Sequence, residues 1–222
     1  MKSKISPSMM CADILDLKET LATFEKHNID FLHIDVMDGA FAPNYMLGVE
    51  FCKSLKKHSN IPLDIHLMVE NPDTKINWFP ISSGDMVSVH AESTYHLHRV
   101  LSMIKSLGAI PAVALNPATP ISNIEFVLPD IECVMLMTVN PGYAGQKLIP
   151  SMLDKIKKTR EFLDERGYSN VQIEVDGNVS FENIIQMKNA GANIFVSGSS
   201  GVFSKALTLE QAIYKTKELL KD

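Results

Sequence analysis

Phe31-Leu32-His33-Ile34-Asp35-Val36-Met37-Asp38-Gly39 is the stretch on which the reading of this chain turns. It opens as an apolar, β-branched run that predicts a strand over Phe31–Val36. It closes on acids and a glycine, as a strand does when it must turn sharply. Residues two apart on a strand point to one face, so His33 and Asp35 share a side. Chemically capable side chains at the end of such a strand fit an α/β barrel, which carries its chemistry at the C-terminal ends of its strands.

Outward from this stretch the chain alternates. Further strands are expected at Ile5–Ser8, Pro62–Met68, Met86–His90, Ile110–Leu115, Cys133–Val139, Val171–Val175 and Ile194–Ser197. Helical periodicity is expected over Leu15–Asn28, Val49–Lys57, Tyr95–Leu107, Ile121–Leu128, Ser151–Arg166, Phe181–Ala190 and Leu209–Leu220. Asn71–Ser83 is a weaker helix, opened by Pro72 and stopped by Pro80. Strands alternating with helices imply a parallel sheet covered on both faces, and eight such units suffice to close a (β/α)₈ TIM barrel. The expectation is one such domain over residues 1–222. A doubly wound open sheet would carry a Gly-rich turn after its first strand, and Ser6-Pro7-Ser8-Met9-Met10 has no glycine.

The formal net charge of −5 lacks the basic footprint of a nucleic-acid or anionic-membrane binder. Small molecules are therefore the expected partners. Cys11, Cys52 and Cys133 are odd in number and widely spaced, which fits a reducing compartment rather than a disulfide framework. No apolar run approaches a membrane span, and the first residues lack the apolar core of a signal peptide, so a cytoplasmic protein is expected.

Two further strand ends carry titratable groups. Asp64 and His66 share a face of the third strand, and Asp176, followed by Gly177, ends the seventh. His33, Asp35, His66 and Asp176 thus make a mixed nitrogen and oxygen set. It suits one divalent transition metal (Zn²⁺, Fe²⁺, Mn²⁺ or Co²⁺) and is nitrogen-rich for Mg²⁺ or Ca²⁺. The bland alternative is a hydrogen-bonded buried network. Glycine-containing loops follow the last three strands: Gly142-Tyr143-Ala144-Gly145, Gly177-Asn178 and Gly198-Ser199-Ser200. Glycine lets backbone N–H groups approach an anion, and the loops after strands seven and eight are a frequent phosphate site of these barrels. Met10, Met37, Met68 and Met137 fall near strand ends, either as core filler or as an apolar lid over the site.

Several of these segments together resemble the ribulose-phosphate 3-epimerase family. They are Ile5-Ser6-Pro7-Ser8, His33 to Gly39, Pro43-Asn44, Leu63 to Met68, Val89-His90, Ala114 to Pro120, Val139 to Gly142 with Gly145-Gln146, and Glu174 to Gly177. The resemblance runs from Ile5 to about Phe203. It implies a metal on His33, Asp35, His66 and Asp176, with Asp35 and Asp176 as the catalytic acid–base pair. It implies substrate contacts from Ser8, His66, Met37, Met68 and Met137, and a phosphate held by Gly142, Tyr143, Ala144, Gly145, Gly177, Asn178, Gly198, Ser199 and Ser200. The substrate would be a small phosphorylated ketose and the protein a homo-oligomer, a dimer or hexamer.

The sequence departs from the family pattern at Met10-Cys11-Ala12-Asp13, at Asn178 and at Ser200-Gly201. These departures look more like the allulose-6-phosphate 3-epimerase branch. The small residues of Ala40-Phe41-Ala42-Pro43 point the same way, towards room for a longer sugar. D-Allulose 6-phosphate is therefore the expected substrate, with D-ribulose 5-phosphate the alternative. An aldolase or decarboxylase on a similar barrel would need a lysine within Asp35-Val36-Met37-Asp38, which has none. A non-catalytic sugar-phosphate-binding barrel remains the reading from another class.

Overall fold

The computed structural model describes residues 1–221. Eight parallel strands form a ring: β1 (Lys4–Pro7), β2 (Leu32–Asp38), β4 (Leu63–Met68), β5 (Met86–His90), β6 (Ile110–Leu115), β7 (Cys133–Met137), β8 (Gln172–Asp176) and β9 (Ile194–Ser197). The remaining strand, β3 (Tyr45–Met46), pairs antiparallel with the end of β2. Neighbours run in register from β2 through β9 and on to β1. A bridge between Ser8 and His33, and the Phe31 N–H donated to Ile5 O at 3.4 Å, bring β1 back to β2. This is the expected barrel.

Helices α1 (Leu17–Lys26), α2 (Val49–His58), α3 (Leu97–Ser106), α4 (Ser151–Glu165), α5 (Asn183–Ala190) and α6 (Leu209–Leu220) cover the outside. Their buried positions follow the helical repeat. On α4 these are Met152, Ile156, Thr159 and Leu163. On α6 they are Ala212, Ile213, Thr216 and Leu220, and a capping box between Thr208 and Gln211 fixes where α6 begins.

Strand alternation divides the core in two. Leu32, Ile34, Val36, Leu63, Ile65 and Leu67 face outward into the main hydrophobic cluster with Leu21, Phe24 and Leu55. Facing inward at the strand starts, Phe31, Met86, Ala112, Cys133 and Ile194 close the floor of the barrel. Above that floor the interior is polar, with His33, Asp64, His66, Ser88, His90 and Glu174 all fully buried.

Three expectations change. Ile121–Asp130 is a 3₁₀ segment rather than an α-helix; Pro129 inside it lacks an N–H and cannot continue α-helical hydrogen bonding. The weak helix at Asn71–Ser83 is two 3₁₀ turns, Pro72–Thr74 and Ile76–Trp78, ending ahead of Pro80. The first helix starts with a 3₁₀ turn, Ile14–Asp16, whose cap is Asp13, and Leu15 lies 92% exposed outside its apolar stripe.

Asp85, only 1% exposed, pins three elements at the foot of the barrel. It accepts from the Leu63 N–H at 2.9 Å, from the Ser82 N–H at 2.8 Å and from Lys56 Nζ on α2 at 2.5 Å. Asp85→Ala leaves a buried N–H and an ammonium without their acceptor. The expected loss is about 2–4 kcal/mol of stability, measured as a lower denaturant midpoint.

Candidate active site

The sequence candidates converge at the C-terminal mouth of the barrel. Strand register places Asp35 beside His66 and Met137 beside Asp176. One ligand atom from each of His33, Asp35, His66 and Asp176 lies within 4.8 Å of the others, so these four residues could hold a metal ion. His33 Nε2 is 3.4 Å from Asp35 Oδ1, and His66 Nδ1 is 3.4 Å from the same oxygen and 3.9 Å from Asp176 Oδ2. Buried His33 Nε2 has no hydrogen-bond partner. Two imidazole nitrogens and two carboxylates aimed at one point, one of them an orphaned buried nitrogen, fit a divalent transition metal. Ser8 Oγ donates to the other Asp35 oxygen at 2.7 Å, fixing that carboxylate.

The electrostatics separate the two carboxyl groups. Burial works against ionised Asp35, but the His33 charge and the two imidazoles beside it hold its pKa well below the ordinary range. Asp176 is pushed the other way, to about 7, by burial and then by the Asp35 charge. Burial lowers His66. For His33, burial is outweighed by the Asp64 and Asp35 charges, and its pKa rises well above the usual histidine value. A metal on Nε2 of His33 would therefore compete with a proton.

A layer below, sequence reasoning had left residues unassigned. His33 Nδ1 lies 2.6 Å from Asp64 Oδ2, which also accepts from Ser6 Oγ at 2.8 Å. Fully buried Glu174 lies 3.9 Å from His33 Nδ1. Burial and then Asp64 repulsion raise the pKa of Glu174 well above normal. On the other side His66 Nε2 lies 2.9 Å from His90 Nε2, and His90 Nδ1 lies 3.3 Å from Glu92 Oε2. Burial lowers His90 to about 4. The period-two spacing Asp64/His66 and Glu174/Asp176 held a signal for the inner acids; nothing in the sequence links Glu92 to this site.

Above the four residues opens a cleft of about 590 Å³. Ser8, Asp35, Asp176, Met37, Met68 and Met137 line it. So do Gly142, Tyr143, Ala144, Gly145, Gly177, Asn178, Gly198, Ser199 and Ser200, while His33 and His66 lie beneath it. Among the described residues no lysine or arginine lines the cleft, so an anion there must be held by N–H and O–H groups. Gly142, Gly145 and Gly177 have φ of +129°, +80° and +118°. A Cβ on Gly177 would stand 2.6 Å from Val139 Cγ2, so only glycine fits that close approach. The loop after β7 is strapped to the loop after β2: Asn44 Nδ2 donates to Gly142 O and Tyr143 Oη donates to Pro43 O.

Comparison with known proteins now bears on this geometry. The profile of the ribulose-phosphate 3 epimerase family matches residues 4–203. The chain is 45% identical over 197 residues to the ribulose-phosphate 3-epimerase of Bacillus subtilis, covering 89% of this chain and 91% of that protein. It is 42% identical to the Methanocaldococcus jannaschii protein of the same name, over 91% of this chain and 85% of that one. The chain belongs to the ribulose-phosphate 3-epimerase family. It is accordingly an isomerase. Among solved structures, KGPDC from Streptococcus mutans superposes with a TM-score of 0.71 at 12% identity, over 99% of this chain and 98% of that one, a likeness of fold alone.

Family membership gives the departures a setting. Asn178, at φ +49°, takes a left-handed conformation that asparagine tolerates, and its side chain accepts from the Leu148 N–H and from Asn183. Its side chain thus ties two loops together. Ala40, Phe41, Ala42 and Pro43 do not line the cleft; Phe41 packs on the His90 ring at 4.5 Å. Their small side chains therefore add no space to that cleft. No described helix is long and apolar enough to cross a membrane.

The raised pKa of Asp176 has a stability consequence in cation-free protein. An unfolded aspartate ionises near 4, so from there to about 7 the folded state keeps a proton that the unfolded state loses. Stability must fall as pH rises through that window and stay lowered above it. In chelator-treated protein, Asp176→Asn should therefore be more stable than wild type at pH 8, on the order of 2 kcal/mol, with the gain vanishing near pH 4. Denaturant midpoints at the two pH values check it.

Proposed function

We propose that this isomerase inverts C3 of a phosphorylated 2-ketose by passing protons through Asp35 and Asp176. The observation that carries the reading is the placement of these two carboxylates. They arise from β2 and β8, three strands apart round the ring, and both reach the same imidazole nitrogen at the floor of the cleft. Inversion needs a base on one face of a planar intermediate and an acid on the other. Two carboxyl groups whose environments drive their pKa values apart suit that division of labour. Interchange of their roles lets one site run both directions.

His33, Asp35, His66 and Asp176 would hold the divalent metal, Zn²⁺, Fe²⁺, Mn²⁺ or Co²⁺ by donor chemistry. When bound it supplies Lewis acidity for the negative charge that develops beside the ketone. Ser8 steadies Asp35 through its 2.7 Å hydrogen bond. Met37, Met68 and Met137 give the cleft an apolar wall that keeps water from the proton carriers. The glycine-containing loops after β7, β8 and β9 receive the phosphate on their N–H groups.

The D-ribulose 5-phosphate/D-xylulose 5-phosphate pair is supported by the names of the relatives. The D-allulose 6-phosphate/D-fructose 6-phosphate pair is the second reading, supported by the departures at Asn178 and Ser200, which line the cleft. The three free cysteines suit a reducing, cytoplasmic setting.

Both ketose pairs, assayed side by side with metal added, should show a higher kcat/KM for the pentulose. A preference for the hexulose would move the chain to the second reading. Solvent deuterium should enter at C3, and Asp176→Asn should lower turnover by at least ~10³-fold; near-wild-type rates would overturn the two-carboxylate reading. Chelation should abolish activity, and a divalent transition metal should restore it.

A further inference from the structure

His66 does not meet the barrel floor alone. Its Nε2 is 2.9 Å from His90 Nε2, the His66 and His90 ring centroids are 5.0 Å apart with the planes 29° from parallel, and His90 Nδ1 is 3.3 Å from Glu92 Oε2. His66 and His90 are fully buried, so this chain runs from the candidate metal set to the loop after β5. We propose that Glu92, acting through His90, is a positioning residue that keeps the His66 proton on Nε2 and so presents Nδ1 to the metal. The inference rests on the metal reading above.

The reasoning is a count of hydrogens. Two nitrogens 2.9 Å apart share one proton, so one is donor and the other acceptor. A carboxylate can only accept, so Glu92 draws the hydrogen of neutral His90 to Nδ1, while Asp35, 3.4 Å from His66 Nδ1, draws the His66 hydrogen the other way; a metal shared by Asp35 and His66 would leave the pull of Glu92 unopposed. His90 Nε2 is then bare and must accept, which places the His66 hydrogen on Nε2. His66 Nδ1 is left with a free lone pair, and it is the nitrogen that faces Asp35 and Asp176. Ligating histidines generally have their other ring nitrogen held in this way, by a carboxylate, a carbonyl or water. Here a second imidazole stands between the ligand and its carboxylate.

Glu92 is itself fixed in orientation. Its other oxygen, Oε1, accepts from the Asn116 N–H at 2.8 Å and from Thr119 Oγ1. This makes the nearly isosteric Glu92→Gln a sharper test than truncation. The Gln amide oxygen must stay with the two donors, which turns its NH₂ towards His90 Nδ1. That reverses every hydrogen bond in the chain and puts the His66 hydrogen on Nδ1, where it blocks the metal. Glu92→Ala removes the bias without reversing it.

The experiment is Co²⁺ binding to cation-free protein, followed by competition with a chromophoric chelator and by the visible spectrum of bound Co²⁺. Glu92→Gln should weaken Co²⁺ affinity by about 10–100-fold with the thermal midpoint of the cation-free protein kept, and Glu92→Ala should weaken it by less even though its midpoint falls, because the Asn116 N–H loses its acceptor. Equal Co²⁺ affinity in wild type and Glu92→Gln, or a larger loss in Glu92→Ala, would overturn the inference and leave the metal reading standing. Wild-type protein that binds no Co²⁺ would overturn both.

Discussion

Charge inside a closed barrel has to be neutralised within the barrel. Strand alternation turns His33, Asp35, Asp64, His66, His90, Glu174 and Asp176 inward, and barrel closure removes nearly all of them from water. The contact that anchors this set is His33 Nδ1 on Asp64 at 2.6 Å. It orients the ring, aims its orphaned Nε2 at Asp35, and leaves Asp64 a second donor in Ser6, beside a Glu174 whose ionisation burial opposes. Without it the inner acids would be unpaired charges in a dry interior, and the outer set would lose its alignment.

The site is accordingly built in tiers along the barrel axis. An apolar floor of Phe31, Met86, Ala112, Cys133 and Ile194 carries the Asp64–Glu174–His33 tier. That tier supports the four residues able to hold a metal, and above them come the methionine wall and the glycine-containing loops. Each tier narrows the freedom of the next. The hydrogen bonds from Asn44 and Tyr143 continue this logic at the top, where they fasten the loop after β7 to the loop after β2.

Placing two acids on strands rather than on loops has a cost and a use. The carboxyl group of Asp176, 17% exposed, is held close to Asp35 and is therefore reluctant to ionise. A site with that built-in tension destabilises the cation-free fold. It also separates one carboxyl group that ionises readily from one that resists, the division that the proposed proton transfer needs.

The sequence determined the barrel and the chemistry at its mouth. Eight apolar runs alternating with helical periods specify a parallel ring, and His33, Asp35, His66 and Asp176 stand at strand ends, where period-two alternation fixes which face they share. Glycines in the late loops were equally legible, because the need for φ above zero is a property of the residue itself. Only the tertiary structure decided what crosses between strands. The partnership of His33 with Glu174, of His66 with His90, and of Asn44 with Gly142 joins residues far apart in the chain. Such pairings depend on register and closure, which local pattern does not encode. The same holds for Ala40 to Pro43: their small side chains read as extra space for a sugar, but they lie behind the cleft wall, with Ala42 against Met37 and Met68 and Phe41 against His90. Residue type and spacing set which groups face inward; three-dimensional closure set which of them touch.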